Sequence, residues 1–412
     1  MKEKALKYHN RCRPGKTEVL PSKPHKTIED LSLAYTPGVS YLCLEIRKNP
    51  LEAYKYTNKS NLVAVISNGT AVLGLGEIGA LPSKPVMEGK AVLFKIFADI
   101  DVFDIEINEK DGDKFCEIVK AISQTFGGIN LEDIKAPECF EIEKRLKEEL
   151  DIPVMHDDQH GTAIVSTAAL LNALDMTGKN VEDIKVVING AGAAAVACGR
   201  LYRKIGVKNI IMLDSKGVIT EDRNDINMYK REFAVKGNIK TLKEALKGAD
   251  VFLGLSKGNI LTKEMLLSMG EKPIIFALAN PDPEIKPENA VSIRPDTIIA
   301  TGRSDYPNQI NNLIAFPYIF RGALDTFSRD INDAMVLSAV KSISQLGKKK
   351  NMLIPSPFDR DLLEEVPLAV AKASIESTSA RVKNFSLSDY KKSLEKLRKK
   401  LEKIEYTCKD FV

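Results

Sequence analysis

Short apolar runs alternate with helix-like stretches through the second half of the chain. The runs cover Lys185–Asn189, Asn209–Asp214, Val251–Ser256, Pro273–Ala279 and Thr297–Thr301. Strands that alternate with helices in this way predict a parallel sheet with helices on both of its faces. We therefore expect an α/β fold whose largest part is a doubly wound parallel sheet.

The first half of the chain predicts a smaller α/β unit. Apolar runs at Leu62–Ser67 and at 71–73 predict strands, and Thr27 with Asp30 forms a capping pair that predicts a helix. The first 26 residues are expected to be extended, because prolines interrupt them. Helical patterns follow around residues 86–97, 113–126, 137–150 and 161–176.

The C-terminal part of the chain is predicted to be helical. Its last segment repeats apolar residues at alternating spacings of three and four, at Leu387, Tyr390, Leu394, Leu397, Leu401 and Ile404. This stripe spans under three heptads, so it predicts a helix that packs on its own domain or on a neighbouring subunit. We expect three parts: an N-terminal substrate and metal domain (1–159), a nucleotide domain (160–345) and a C-terminal helical segment (346–412).

Composition narrows the class of protein. The chain has 412 residues, of which 44% are hydrophobic and 28% charged, as is typical of globular proteins. No apolar run reaches the roughly 18 residues of a membrane span, no secretory signal is visible, and the six cysteines form no CxxC pair. These features predict a cytoplasmic protein with reduced thiols.

The net charge of +4 is uneven, because both ends are basic. Basic ends can bind nucleic acid or a membrane surface, but no aromatic residues are interleaved with them and no nucleic-acid motif is present. Solvated charge is the favoured interpretation. We therefore expect no nucleic-acid and no membrane partner.

Two glycine-rich loops are candidates for a dinucleotide site. The loop Gly74–Gly79 precedes two prolines that leave no room for a crossover helix, so it is interpreted as a cleft wall. The other loop follows an apolar run and opens an alanine-rich stretch, and the next strand ends at Asp214. This second loop reads Gly190-Ala191-Gly192-Ala193-Ala194-Ala195.

The second loop has the context of a Rossmann-type βαβ unit. Gly190 permits the tight turn, Gly192 lets the backbone approach a pyrophosphate, and Ala195 keeps helix and strand close. Asp214 is placed to accept hydrogen bonds from both ribose hydroxyls, and a carboxylate there favours NAD over NADP. The alternative is a tightly packed loop without a ligand.

Acidic residues near position 130 and after position 156 form a second candidate site. Glu132 and Asp133, with Asp157–Asp158, offer oxygen ligands suited to Mg²⁺ or Mn²⁺. The alternative is an ordinary helix cap made by Asn130 and Asp133, and spacing alone favours it.

Two histidines in the same region, His156 and His160, are spaced as in a zinc hydrolase. Such a zinc site needs both histidines on one helix. Pro153 before them and Gly161 after them instead predict a strand followed by a loop. A zinc site is therefore not favoured.

Taken together, the motifs resemble those of malic enzymes of the short prokaryotic type. The resemblance runs in a consistent order from about residue 6 to residue 380. The matching segments are Ser32–Val39, Asn68–Gly79, Met87–Phe94, Asn130–Asp133, His156–Thr162, Gly190–Ala195, Ala279–Pro281 and Asn311–Asn312.

The resemblance implies oxidative decarboxylation of L-malate to pyruvate and CO₂ with NAD, or alternatively NADP, and with Mg²⁺ or Mn²⁺. It implies Tyr35 as general acid and Lys90 as general base. A basic lysine needs a lowered pKa, which either burial or the nearby cation would provide. The resemblance also implies a homodimer or a higher homo-oligomer. The implied metal ligands are Glu132, Asp133 and Asp158, and the implied carboxylate-binding residues are Asn280, which also lies near the cofactor, and Asn312.

One position departs from the long eukaryotic type of the family. An arginine that binds malate there is replaced by Ala71, as is usual in the short type. The group that holds the substrate carboxylate stays open between a loop lysine and a group from a neighbouring subunit.

Two other classes of function remain open at this point. One is a Rossmann dehydrogenase without decarboxylation, similar to amino-acid dehydrogenases, which would need no metal. The other is a non-catalytic nucleotide-sensing scaffold, which would lack Lys90 or the acids. On their own, Lys90 and Tyr35 would be interpreted as a solvated lysine and a surface aromatic residue.

Overall fold

The computed structural model describes residues 1–10, 14–72 and 74–403. Within them the strands are β1 (Leu62–Ser67), β2 (Asp101–Glu106), β3 (Gly128–Leu131), β4 (Val154–His156), β5 (Lys185–Asn189), β6 (Asn209–Asp214), β7 (Gly217–Val218), β8 (Val251–Gly254), β9 (Ile274–Ala277) and β10 (Ile298–Thr301). They form a four-stranded sheet of order β2-β1-β3-β4 and a six-stranded sheet of order β10-β9-β8-β5-β6-β7. Every pair is parallel except β6 with β7.

The first sheet belongs to the N-terminal part of the chain. Its centre is β1, where all six side chains are buried, as expected for a parallel strand covered on both faces. In register, Val63 lies opposite Val102 on one side and Gly128 on the other. The helices of this part are α1 (Lys2–Asn10), α2 (Ile28–Ala34), α3 (Val39–Lys48), α4 (Ala53–Tyr56), α5 (Ala80–Ala98), α6 (Gly112–Ile122), α7 (Glu138–Glu149) and α8 (Asp157–Thr177).

The N-terminus differs in part from the prediction. Helix α1 covers residues 2–10, so the expectation of an extended first segment is wrong there. The prolines that suggested it lie at position 14 and beyond and therefore break nothing before that point. The capping pair is confirmed: the Thr27 hydroxyl accepts from the Asp30 amide, and the Asp30 carboxylate accepts from the Thr27 amide.

The segment after the first glycine loop also differs from the prediction. Helix α5 begins at Ala80 and joins the parallel strands β1 and β2, so a crossover helix does follow the loop. Pro82 is tolerated because the amides of a first helical turn have no partner inside the helix, and Pro85 removes only one further hydrogen bond. The predicted strand at 71–73 is also absent among the described residues: Val72 forms an isolated bridge to Gly76, and position 73 lies outside them.

The second sheet confirms the predicted doubly wound fold. The chain leaves β5 for β6 on one side and later returns to β8 on the other, so the strand order reverses in front of β5. Ligands of such sheets bind at the carboxyl ends of the strands at this reversal. The helices here are α9 (Ala193–Lys204), α10 (Met228–Arg231), α11 (Leu242–Leu246), α12 (Lys263–Leu267) and α13 (Pro287–Ile293).

The C-terminal helices pack on the rest of the chain. They are α14 (Phe316–Asp325), α15 (Asp333–Lys349), α16 (Asp361–Glu376) and α17 (Leu387–Leu401). Helix α14 contacts α5 and α16, α15 contacts α8, and α17 contacts α16 through the buried Tyr390 and Leu394. Ile404, the last residue of the predicted stripe, lies outside the described residues. Among the helices described, none has the length and apolar character needed to cross a membrane.

Candidate active site

A buried amine lies between two carboxylates at the N-terminal sheet. Lys90 projects from α5 with only 11% of its side chain exposed. Its Nζ lies 2.6 Å from Oδ2 of Asp157 and 2.9 Å from Oε1 of Glu132. The ring of Phe316 covers the amine, with Nζ 4.3 Å from the ring centroid. The alternative interpretation of Lys90 as a solvated lysine is therefore wrong.

Three carboxylates converge beside this amine. Glu132 and Asp133 follow β3, and Asp158 lies in the first turn of α8. One oxygen of each residue lies within 4.8 Å of the others, and within the described part of the chain this is the one such group of three metal-type ligands. The predicted trio is therefore brought together. Asn130 belongs to β3, so the alternative of a helix cap at Asn130 is wrong.

The backbone around Asp133 is held in an uncommon conformation. Asp133 has a φ of 54°, in the left-handed region that non-glycine residues rarely adopt. Its amide donates to Oδ2 of Asp158 at 2.8 Å, and its carbonyl accepts from the amides of Thr70 and Ala71. The segment just before the first glycine loop thus anchors the backbone of the carboxylate cluster.

The electrostatics of the trio fit a divalent cation. Burial, followed by the neighbouring Asp158 carboxylate, raises the pKa of Asp133 to about 8. Burial likewise raises the pKa of Glu132, and burial together with the surrounding aspartates outweighs the opposing effect of Lys90. Oδ2 of Asp133 is buried without a hydrogen-bond partner. Crowded, underpaired carboxylates are the ligands that Mg²⁺ and Mn²⁺ take.

The expected lowering of the Lys90 pKa is not produced by the protein groups. Burial alone would lower it, but the charges of Asp157 and Glu132 outweigh burial and raise the pKa of Lys90 above its ordinary value. The reason is the direct contact of the ammonium with two carboxylates. Of the two possible causes of a lowered pKa, burial is therefore not sufficient, and the nearby cation stays a prediction.

Asp157 was offered with Asp158 as a possible oxygen ligand but was not among the residues assigned to the site. It is fully buried and accepts hydrogen bonds from Lys90 and from Nδ2 of Asn312, the latter at 3.0 Å. Oδ1 of Asn312 in turn accepts from the Thr162 hydroxyl. Asn312 therefore reaches the site as predicted, but through Asp157. Sequence showed two adjacent aspartates and could not show that one faces the amine and the other faces Asp133.

The two histidines do not form a zinc site. His156 ends β4 and His160 lies in α8, so the segment is a strand followed by a helix, and the predicted loop is wrong. Nε2 of His160 lies 2.8 Å from Glu143, whereas Nε2 of the fully buried His156 lies 3.4 Å from Asp158. Because the side chains turn to different partners, they cannot share one ion.

The second glycine loop has the predicted geometry. Gly190 has a φ of 135°, and a Cβ there would lie 2.6 Å from the Leu255 carbonyl oxygen. Gly192 caps α9 and faces open space, whereas Ala195 is buried. Ala191, Ala193 and Ala194 complete the turn into the helix. The amides at the start of α9 are thus available to a phosphate group.

The two other predicted cofactor residues lie at strand ends. Asn280 follows β9, and its carbonyl oxygen lies 3.9 Å from the position of a Cβ at Gly74, so it stands across the cleft from the first glycine loop. Asp214 ends β6, but its carboxylate is already paired with Arg223 and Lys230.

Tyr35 is not brought to the site within one chain. The residue is 75% exposed, and no described residue forms a side-chain hydrogen bond with it. The structure therefore joins Lys90, the three acids and Asn312 in one place and leaves the predicted general acid on the surface.

A cluster of three carboxylates that shares Glu132 with a buried amine, next to a Rossmann-type sheet, suits a metal-dependent, dinucleotide-linked oxidoreductase. Two family models match the chain: "Malic enzyme, N-terminal domain" over residues 14–147 and "Malic enzyme, NAD binding domain" over residues 159–376. The chain belongs to the malic enzyme family.

Individual relatives agree with this assignment. The probable NADP-dependent malic enzyme of Rickettsia prowazekii is 54% identical over 411 residues, and the NAD-dependent malic enzyme of Rhizobium meliloti is 50% identical over 418. The matches cover 95% and 96% of this chain and 54% of each relative, so the chain spans about half their length. The crystal structure of malic enzyme from Pyrococcus horikoshii matches with a TM-score of 0.91 at 43% identity, covering 98% of this chain and 97% of that chain.

Proposed function

We propose that this chain catalyses the oxidative decarboxylation of L-malate to pyruvate and CO₂, with reduction of NAD or NADP and with Mg²⁺ or Mn²⁺ as resident cation. The observation that carries the proposal is that Glu132 belongs both to the three-carboxylate cluster and to the ion pair with Lys90. A hydroxyl group held at that cluster would lie beside an amine, as removal of its proton requires.

The bound groups would be held by named residues. Glu132, Asp133 and Asp158 would hold the cation, and the amides of the loop Gly190–Ala195 would hold the pyrophosphate. When bound, the cation supplies positive charge at the C2 oxygen and the nicotinamide ring supplies a hydride acceptor for C2.

The residues of the chain would move the protons. Lys90 takes the proton of the C2 hydroxyl, for which it must be a free amine. Use of Glu132 as a cation ligand would reduce its attraction for the ammonium and so would lower the Lys90 pKa toward that of a base. Asn312 holds Asp157 in contact with the amine. After CO₂ leaves from C4, the Tyr35 hydroxyl protonates C3, which yields pyruvate and balances the proton taken at the C2 oxygen.

An absorbance assay tests this function. L-malate is supplied with Mn²⁺ or Mg²⁺ and with each dinucleotide in turn, and pyruvate is measured in parallel. We expect equal amounts of reduced dinucleotide and pyruvate, and no turnover with EDTA. Reduced dinucleotide without pyruvate would indicate the dehydrogenase alternative, and turnover that survives EDTA would contradict the role of the three acids.

We further propose that the active unit is a homodimer in which Tyr35 enters the site of the partner. Helices α1, α2 and α3 bury no residue within the chain. Their exposed apolar side chains include Ile28, Leu31, Leu33, Tyr41 and Leu44. Exposed apolar side chains at this density on successive helices favour an interface. A second copy of this chain bound to the surface of these helices also explains why Tyr35, the predicted general acid, lies outside the site of its own chain.

Complementation between two inactive variants tests this arrangement. Tyr35→Phe keeps Lys90, and Lys90→Ala keeps Tyr35. If Tyr35 acts across the interface, one site of each mixed dimer is intact, and a statistical mixture after joint refolding recovers about a quarter of wild-type activity. No recovery from a mixture shown to contain mixed dimers would place Tyr35 in its own site. A monomer by light scattering would contradict the dimer itself.

Two further proposals concern the cellular location of the protein and the division of the chain into parts. The described cysteines Cys43, Cys116, Cys139 and Cys198 are free, which supports a cytoplasmic location that cell fractionation would test. The division into parts at 159/160 and 345/346 stays a proposal, and limited proteolysis would test it by the positions of the first cuts.

A further inference from the structure

One charged residue lies on the buried face of α7. The other buried residues of this helix are Cys139, Phe140, Ile142 and Leu146, and Glu143 shares their face with only 8% of its side chain exposed. A buried carboxylate costs free energy unless donors surround it. The partners of Glu143 therefore identify the part of the molecule that it holds.

Those partners come mainly from the start of α8. Oε1 of Glu143 accepts from the backbone amide of His156 at 3.1 Å, and Oε2 accepts from Nε2 of Gln159 at 3.1 Å. Nε2 of His160 lies 2.8 Å from Oε1. A fourth donor, Nζ of Lys147, lies one turn further along α7, at 3.1 Å from Oε1. Both oxygens thus accept hydrogen bonds, and three of the four donors belong to one short segment.

These contacts take the place of an ordinary helix cap. His156 is the N-cap residue of α8, and its side chain forms no capping hydrogen bond. In a capping box, the side chain of the third helical residue accepts from the N-cap amide. The third residue here is Gln159, whose side-chain amide instead donates to Glu143. Glu143 therefore supplies, from α7, the acceptor for the first turn of α8.

The turn that is held in this way carries two acids of the candidate site. Asp157 and Asp158 are its first two residues, and the contacts with Glu143 lie on both sides of them in the sequence. Oδ2 of Asp157 lies 2.6 Å from Nζ of Lys90, and Oδ2 of Asp158 accepts from the Asp133 amide at 2.8 Å. Because the two acids belong to one helical turn, a shift of that turn moves both carboxylates at once.

We propose that Glu143 is a positioning residue for the proposed reaction: by fixing the first turn of α8, it keeps Asp157 on the Lys90 amine and Asp158 in the three-carboxylate cluster. The proposal rests on the cation site of the proposed function. Among the described residues, no hydrogen bond or ion pair joins Glu143 to Lys90 or to the carboxylates of that site. Glu143 therefore acts on the site through α8.

A neutral residue of the same size should not replace Glu143. Burial opposes ionisation of the Glu143 carboxyl, but its contacts with His160 and Lys147 outweigh burial and hold its pKa below the ordinary value. Glu143 is thus a charged acceptor, and hydrogen bonds to charged groups are roughly twice as strong as those between neutral groups. In Glu143→Gln one oxygen becomes an NH₂ group among donors, so the first turn of α8 loses part of its anchor.

Binding of Mn²⁺ alone to the full chain, measured by electron paramagnetic resonance, tests the proposal without malate or dinucleotide. We expect Glu143→Gln to raise the Kd for Mn²⁺ by about tenfold or more, as the loss of a partner behind a metal ligand does in other proteins. Glu149→Gln is the matched control. Glu149 lies on the same helix and accepts from Arg145 and Lys120 rather than from α8, so its replacement should leave the Kd unchanged.

A second variant keeps the test decisive if Glu143→Gln does not fold. Gln159→Met fills the space of a side chain that is 3% exposed, and it removes one donor to Glu143. We expect it to raise the Kd for Mn²⁺ by about threefold or more. In the double variant the two effects should not add, because both act through the same contact.

Thermal unfolding confirms that each variant is folded. Unchanged Mn²⁺ affinity in a folded Glu143→Gln or Gln159→Met chain, or an equal loss in Glu149→Gln, would overturn the proposal and leave the proposed function standing. A wild-type chain that binds no Mn²⁺ would instead overturn the cation site of the proposed function, and this proposal with it. The two failures are therefore distinguished by the wild-type titration.

Discussion

Gly161→Ala should disable the site while leaving the fold nearly as stable as before. A Cβ at Gly161 would lie 2.3 Å from Oδ1 of Asp157 and 2.7 Å from Cγ of Asn312. Ordinary carbon–oxygen contacts begin at about 3.3 Å, so these side chains must move by about 1 Å. Both are held to each other, and Asp157 also contacts Lys90. A displacement of that size near reacting groups costs about 100-fold in rate, which is about 2.7 kcal/mol of barrier.

The effect on stability should be small because two terms oppose each other. Alanine stabilises a helix interior by about 1 kcal/mol relative to glycine, whereas the enforced shift costs about 1–3 kcal/mol. The assay is kcat/KM for malate together with thermal unfolding. Gly89→Ala is a matched control, since it lies next to Lys90 on α5 and its Cβ would meet nothing closer than Lys16 Cε at 3.9 Å. A Gly161→Ala enzyme with kcat/KM within about threefold of wild type would refute the reasoning.

Three further outcomes are expected. Lys90→Ala should abolish turnover but keep reduced-dinucleotide binding by fluorescence titration near normal; wild-type kcat would remove Lys90 as the base. Asp158→Asn should raise the Mn²⁺ concentration needed for binding, measured by electron paramagnetic resonance, by about tenfold or more, and an unchanged titration would exclude it as a ligand. Burial, followed by the neighbouring Asp104, raises the pKa of Glu106 to about 7. Between about pH 4 and pH 7 Glu106 therefore holds a proton in the folded protein that it releases in the unfolded chain. Because of this difference, the contribution of Glu106 to stability falls as the pH rises through that range. Glu106→Gln should therefore gain urea stability relative to wild type between pH 5 and pH 8, unlike the exposed control Glu148→Gln; identical pH dependence would contradict the raised pKa.

The main strands of the second sheet and the central strand of the first were predictable from sequence because of their parallel geometry, whereas β2, β3 and β4 were not predicted. Parallel strands are covered on both faces, so β1, β5 and β8 appear as unbroken apolar runs between turn residues. Local capping chemistry also suffices to place the start of α2, since the partners of Thr27 lie within three residues. Features that depend on residues close in sequence could therefore be predicted.

Features that depend on side chains distant in sequence were not recovered. The partners of Asp214 lie nine and sixteen residues further on, in segments without a strand or helix signal strong enough to place them. The raised pKa of Lys90 comes from Glu132 and Asp157, which only the folded sheet brings to α5. The prediction that prolines exclude a helix after the first glycine loop was wrong at α5. A proline near the start of a helix removes few hydrogen bonds, so its position decides its effect.

Helix α8 connects the candidate site at the first sheet with the helices beside the second sheet. It starts with Asp157 and Asp158 at the edge of the first sheet and packs along α9 and α15 beside the second. One inserted residue would turn its leading end by about 100° relative to the body behind it. Asp157 would then point away from the amine and Asp158 away from Asp133 while both sheets stayed intact, so the number of residues in this helix sets the geometry of the candidate site.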